Sequence, residues 1–199
     1  MRLEEFCISN FRNIIDSGWI KATDVTAFVG QNEAGKSNLF EALYCLHPFV
    51  ETRYNPDEDW PVDDWKGKKN CNGMRVSQAY FEFDEGEAEA LFEFATEVVT
   101  EEGSSELEAE IAMPPDGLRL FAHRNYGYDT GFDLHDREGN AIEVSDLGLS
   151  KDKVLEWAGE RVPRFVLIQD YEFSGAQVEL NELKKRLDEA GGKRHKLST

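Results

Sequence analysis

Basic residues are scarce in this 199-residue chain: 22 lysines and arginines stand against 40 acids, for a formal charge of −18. That balance works against a broad nucleic-acid surface, because duplex and single-stranded phosphates are met by clustered cations. It fits either solubility at high salt or an acidic face for a basic partner, and both readings stay open. Cysteine is scarce as well. Cys7, Cys45 and Cys71 have no CxxC spacing and form no even framework, which points to a reducing compartment. Cys7 and Cys45 lie within apolar patterns and read as small core residues. There is no apolar run of membrane length and no secretory leader pattern, so a cytoplasmic location without a membrane partner is expected. Internal repeats are missing, and so is any Leu-Ser-x-Gly-Gly stretch. Asn-Lys-x-Asp, which would read guanine, is absent too, and this leans toward adenine.

What is present is a folding composition, 40% hydrophobic and 12% aromatic, enough for one core or a core with an appended lobe. Its most telling stretch is Gly30-Gln31-Asn32-Glu33-Ala34-Gly35-Lys36-Ser37, which fits G-x-x-x-x-G-K-[ST]. Val25-Thr-Ala-Phe-Val29 ahead of it reads as a buried strand, and Leu39, Phe40, Leu43 and Leu46 behind it recur at helical spacing. Strand, glycine loop and helix form the setting a phosphate-binding loop needs. The glycines let backbone N–H groups turn toward phosphate oxygens, and the helix N-terminus favours an anion. Lys36 is expected to reach the β- and γ-phosphates and Ser37 to ligate Mg²⁺, with backbone N–H groups of residues 32–37 orienting the phosphate chain.

The rest of the chain alternates strand and helix signals. Arg2–Ser9 and Trp19–Lys21 read as strands around an Asp16-Ser-Gly18 turn, so three strands are expected before the loop. Pro48–Asn72 is a long polar connection punctuated by aromatics, with acids at Asp57–Asp59 and Asp63–Asp64. Met74–Phe83 alternates as a strand burying Ala79, Phe81 and Phe83, and Gly86–Thr100 is an amphipathic helix. Leu107–Met113, Leu118–Arg124, Gly131–His135 and Ala141–Val144 read as an antiparallel meander, and Ser150 as the cap of a helix through Gly159. Arg164–Asp170 returns as a buried-type strand, followed by a helix over Asn181–Ala190 and a basic tail.

An NTPase also needs an acidic element at the end of an apolar strand, to hold Mg²⁺ and polarise water. Only Phe165-Val-Leu-Ile-Gln-Asp170 is available, and it ends Gln-Asp-Tyr-Glu rather than in paired acids. Asp170 as a magnesium ligand, Gln169 as an amide on metal and attacking water, or a plain end to a structural strand are the alternatives. The simplest account is an N-terminal part of a longer ATPase.

Ile8-Ser-Asn-Phe-Arg-Asn-Ile14 followed by Phe28-Val-Gly-Gln-Asn-Glu-Ala-Gly-Lys-Ser-Asn-Leu-Phe-Glu-Ala-Leu43 resembles the N-terminus of ABC-type ATPases of the RecF, SMC and OLD (overcoming lysogenization defect) group. The loop variant looks most like OLD-type phage-defence ATPases, and the resemblance extends more weakly over residues 160–190. It implies an α/β P-loop NTPase fold, the N-terminal lobe of an ABC-type head with a β-meander and helical additions. Residues 1–47 would hold the early strands, loop and first helix, and 48–150 the connection and antiparallel lobe. Residues 151–190 would carry the Q-loop strand and the start of a helical insertion, and 191–199 a tail. Lys36 and Gln169 would be the catalytic residues, with Ser37 and Gln169 on Mg²⁺. Asn10, Arg12 and Asn13 would lie beside phosphates or base. Asn32 would shape the loop, and Gly30, Glu33, Ala34, Gly35, Lys36, Ser37 and Asn38 would complete the ATP site. Signature motif, Walker B pair and switch histidine would lie further along the chain. Two heads would sandwich ATP as a homodimer or higher oligomer. DNA would be met by the full assembly, with any nuclease chemistry in a partner or a C-terminal domain.

Plainer readings accompany these residues. Arg12 also fits a solvated strand connection, and Asn10 and Asn13 fit turn formers. His47 suits a helix C-terminus, and His123 and His135 suit structural roles. Asp57–Asp64 reads as a solvated charge run rather than a cation loop. A small P-loop kinase and a non-catalytic acidic docking module are the rival functions.

Overall fold

The computed structural model describes residues 1–31, 34–64, 66–96, 112–127 and 130–168. Its frame is an antiparallel sheet whose β1 (Arg2–Phe11) pairs with β4 (Arg75–Glu82) on one side. On its other side β1 takes two short strands, β2 (Ile14–Asp16) and β3 (Ile20–Lys21). Beyond β4 the order continues through β5 (Arg119–Asn125), β6 (Gly131–His135) and β7 (Ala141–Ile142).

One face of this sheet is apolar by alternation. Phe6, Ile8, Ala79, Phe81, Leu120, Ala122, Phe132 and Leu134 are all buried there. Register brings them into rows: Phe6 stands opposite Ala79, Ala79 opposite Ala122, and Ala122 opposite Phe132. Three helices help close the core. Helix α1 (Lys36–Leu46) buries Leu39, Ala42, Leu43 and Leu46. In the connection after it, Pro56–Asp59 forms the single-turn helix α2 behind an Asn55 cap. Helix α3 (Glu87–Ala95) contributes Leu91, Phe92 and Ala95, and α4 (Lys151–Arg161) contributes Val154, Trp157 and Ala158.

The opposite face carries a second aromatic layer. Tyr80 packs against Trp19 and Phe121 at centroid distances of 5.0 and 4.9 Å, and Phe121 stacks on His135 at 4.5 Å. The Arg119 guanidinium lies 4.1 Å from the Tyr80 ring centre. His123 pairs with Asp133 at 3.2 Å, and His135 Nδ1 sits 3.0 Å from the Tyr80 hydroxyl. Both histidines are thus held within the protein's own interactions.

Several expectations need correction. Val25–Val29 forms no strand, and Val25 and Val29 are 86% and 96% exposed. Among the described residues no neighbouring strand pairs with this segment, and of its apolar residues Phe28 packs on the core, with its ring 6.4 Å from that of Phe6. Arg164–Ile168 makes only an isolated parallel bridge, Pro48 to Phe165, and leaves Val166 and Ile168 about half exposed. Phe40 also faces outward, meeting Phe28 edge-on at 5.2 Å. Ser150 occupies the N-cap of α4 without a side-chain cap bond. The long connection is not merely polar, since Tyr54, Trp60 and Cys71 are core residues. Residues 107–111 of one expected meander strand, the end of the α3 segment beyond Thr96, the 181–190 helix and the tail lie outside the described residues; Ala112 and Met113 are described and are not in a strand.

Candidate phosphate-binding site

Helix α1 is pinned from behind. Tyr54 donates its hydroxyl to the Ala42 carbonyl at 2.8 Å and meets the Ser77 hydroxyl at 2.6 Å, tying the helix to β4. At the helix C-terminus the buried Arg124 donates to the Cys45 and Thr52 carbonyls, and Thr130 donates to Leu46. The bonds to Cys45 and Leu46 satisfy carbonyls that a helix end leaves without internal partners, and the bond to Thr52 ties in the connection that follows. His47, at the C-cap, lies 3.3 Å from the Pro163 carbonyl through Nδ1. Burial pushes the Cys45 thiol up to about 11, so it stays a neutral thiol in the core.

The other end of α1 is left open. Gly35 is the N-cap, with φ +91° in the left-handed region, and no side chain caps the helix there. Its first turn, Lys36-Ser37-Asn38, contains no acid. An uncapped N-terminus with unopposed N–H groups and a positive dipole end is an anion site. The left-handed backbone favours glycine at Gly35, and a Cβ there would also stand 2.8 Å from the Asn13 amide nitrogen and push that side chain aside. The Lys36 ammonium curls onto the loop, donating to the Gly30 and Gln31 carbonyls at 2.8 and 2.6 Å. Ser37 is exposed at the helix start. Left-handed glycine, lysine ammonium and exposed hydroxyl thus stand together at the helix start, groups that can receive a phosphate.

Above Gly35 stands the β1–β2 turn. Asn10 and Arg12 both adopt left-handed backbone, at φ +54° and +50°, which is uncommon for residues with side chains. Asn38 donates to the Asn13 side-chain oxygen at 2.9 Å, so the turn and the helix start are joined. Arg12 donates through Nε to Asp59 at 3.0 Å and through Nη1 to Asn38 at 3.0 Å and to Glu41. Burial pulls the Arg12 guanidinium's pKa down, but hydrogen bonds and charge from Glu41 and then Asp59 outweigh it, and the net shift is upward.

The structure therefore gathers Arg12, Asn13, Gly30, Ala34, Gly35, Lys36, Ser37 and Asn38 around one helix end, while Asn10, in the same turn as Arg12, is held through its carbonyl by Tyr126. Asn32, Glu33, Gln169 and Asp170 lie outside the described residues. Asp59 was expected in a solvated acidic run, and this needs correcting: it is buried, paired with Arg12, and takes a bond from the Asn55 amide at 2.8 Å. Its sequence neighbours hid it, because four nearby acids are exposed. Among the described residues no cluster of three His, Cys, Asp or Glu side chains could hold a metal.

No family model matches the chain. It is similar to the DNA replication and repair protein RecF of Phocaeicola vulgatus, 28% identical over 92 residues. That match covers 46% of this chain and 23% of the relative, so it reaches less than a quarter of the relative's length. The likeness supports the RecF and SMC grouping expected from the loop region, and it does not single out the OLD type. The fold is mixed α/β, with helices on an antiparallel sheet. No helix among the described residues is long and apolar enough to cross a membrane.

Proposed function

We propose that this chain is the ATP-binding lobe of an ABC-type ATPase of the RecF and SMC group that serves DNA replication or repair. The observation that carries it is the open N-terminus of α1, with left-handed Gly35 and Lys36 at the point where phosphate oxygens would meet backbone N–H groups. The likeness to RecF supports ATP as the nucleotide and DNA maintenance as the setting.

Lys36 would leave the Gly30 and Gln31 carbonyls and neutralise charge on the β- and γ-phosphates. The Ser37 hydroxyl would hold Mg²⁺, with Gln169 as its second protein contact. Bound magnesium supplies charge neutralisation across the phosphate oxygens. The main-chain N–H groups of the loop would orient the phosphate chain. Hydrolysis would follow only when a second head closes on the nucleotide, and DNA processing or phage defence is the role proposed for the assembly. The exposed Val25, Val29, Val166 and Ile168 support a lobe that offers an apolar surface beside the loop to a second structural unit.

ATP turnover measured against protein concentration tests this reading. A rate that climbs more steeply than linearly, and vanishes in Lys36→Ala, is expected. Strictly proportional rates would mean the site is complete in one chain, and turnover indifferent to Lys36→Ala would remove the phosphate loop from the chemistry.

A further inference from the structure

The turn that overhangs Gly35 is costly to form. Left-handed backbone at two residues with side chains is uncommon and persists where neighbours over-determine it. The neighbours here come from the connection after α1 and from β5 with its following turn. The Arg12 amide donates to the Asp59 carbonyl at 2.6 Å, while the Arg12 side chain donates to the Asp59 carboxylate at 3.0 Å. Tyr126 donates its hydroxyl to the Asn10 carbonyl at 2.5 Å. Beneath them Phe11, Tyr54, Trp60 and Tyr126 pack ring against ring at 5.5–5.8 Å. Asp59 thus grips Arg12 by both backbone and side chain, and it is itself held by the Asn55 amide.

We propose that Asp59 is a positioning residue for the phosphate loop, acting through Arg12 to hold the Asn10–Asn13 turn over Gly35. The carboxylate does not face the phosphates; it fixes the arginine, which fixes the turn. The turn's Asn13 lies against Gly35 and accepts from Asn38, so its placement sets the width of the cradle at the helix start. Asp57, two residues earlier, provides the contrast. It carries the same charge but is paired outward with Lys68 at 2.8 Å and is exposed.

The ATP arm of this proposal rests on the nucleotide-binding reading above, so its test needs two readouts. Mg·ATP is titrated into the wild-type chain, Asp59→Ala, Asp59→Asn, Asp57→Ala, Arg12→Ala and the Arg12→Ala/Asp59→Ala double variant, and the Gly35 amide resonance is followed without nucleotide. Asp59→Ala should weaken Mg·ATP about tenfold, an ordinary loss for a charged hydrogen bond, and shift the Gly35 amide. Asp57→Ala should do neither. Asp59→Asn should recover part of the affinity, and the double variant should bind no more weakly than Arg12→Ala alone. Wild-type affinity and an unmoved Gly35 resonance in Asp59→Ala would overturn the proposal, as would fully additive losses in the double variant. Should Asp59→Ala not fold, Asp59→Asn decides by the same two readouts. If the wild-type chain ignores Mg·ATP, the nucleotide reading fails, and the Gly35 resonance alone settles the role of Asp59.

Discussion

Two apolar regions of this chain are built from similar residues and meet opposite fates. Phe81, Leu120 and Leu134 of the sheet are fully buried, each facing a partner strand or a covering helix. Val25, Val29, Val166 and Ile168, around the phosphate loop, are between about half and almost wholly exposed. Alternating apolar residues announce that a surface needs cover, and they do not say what provides it. The antiparallel sheet finds its cover in α1, α3 and α4. Of the segments flanking the site, Phe28 and Phe165 reach the core, while Val25, Val29, Val166 and Ile168 stay uncovered among the described residues. Helix α1 joins the two regions: its sides and C-terminus belong to the packed one, its N-terminus to the open one.

Truncation in the packed region should break the fold most severely. Phe81→Ala is expected to cost about 3–5 kcal/mol, read as a lowered denaturation midpoint in urea. A cost below about 1 kcal/mol would mean that this core is not the one supporting the domain. Arg124→Met comes next, because it strands the Cys45 carbonyl in the last turn of α1 and the Thr52 carbonyl in the connection after it. Leaving buried acceptors unpaired costs about 1–3 kcal/mol each, so a loss of roughly 2–4 kcal/mol is expected in the same denaturation series.

A pH titration sharpens the contrast from the other face of the sheet. Burial is the main force lowering the His135 pKa. Its neutral form is therefore favoured in the fold, and the unfolded chain takes up the proton first. Stability should be intact above the ordinary histidine value, about 6.5, and should fall as pH drops through and below it. His135→Gln should remove that part of the slope. Asp133 acts in a lower window, because the His123 hydrogen bond, against burial, holds its pKa below the usual carboxylate value. Its stabilising share is present above that value and is lost only as pH falls further. A His135→Gln profile identical to wild type between pH 5 and 7 would contradict this assignment. The smallest effect should come from the open region. Val29→Ala should change the chain's stability by no more than about 0.5 kcal/mol, and a loss comparable to that of Phe81→Ala would erase the distinction between the regions.

Much of the packed region could be read directly. Alternation over Met74–Phe83 and Leu118–Arg124 located β4 and β5 within a residue or two, and apolar spacing found α1 and the buried side of α3. Those elements carry their own signal, since half of each pattern is in the core. The sequence also placed Gly35, Lys36 and Ser37 at a helix start, where the structure has them. What surrounds it was not. Asp59 sits among exposed acids, and its arginine partner lies 47 positions away. Buried Arg124 and the left-handed turn at Asn10 and Arg12 likewise depend on long-range partners that no local pattern encodes. The Val25–Val29 segment was misread for the converse reason, an apolar pattern whose cover is not supplied locally.

Calorimetric titration of Mg·ATP into the wild-type chain and Lys36→Ala tests the central claim most directly. Saturable binding near one equivalent in the wild type, weakened about a hundredfold or more by Lys36→Ala, is the predicted result, equivalent to roughly 2.7 kcal/mol. No heat of binding in either protein, or equal binding in both, would contradict the assignment of α1's N-terminus as the ATP site.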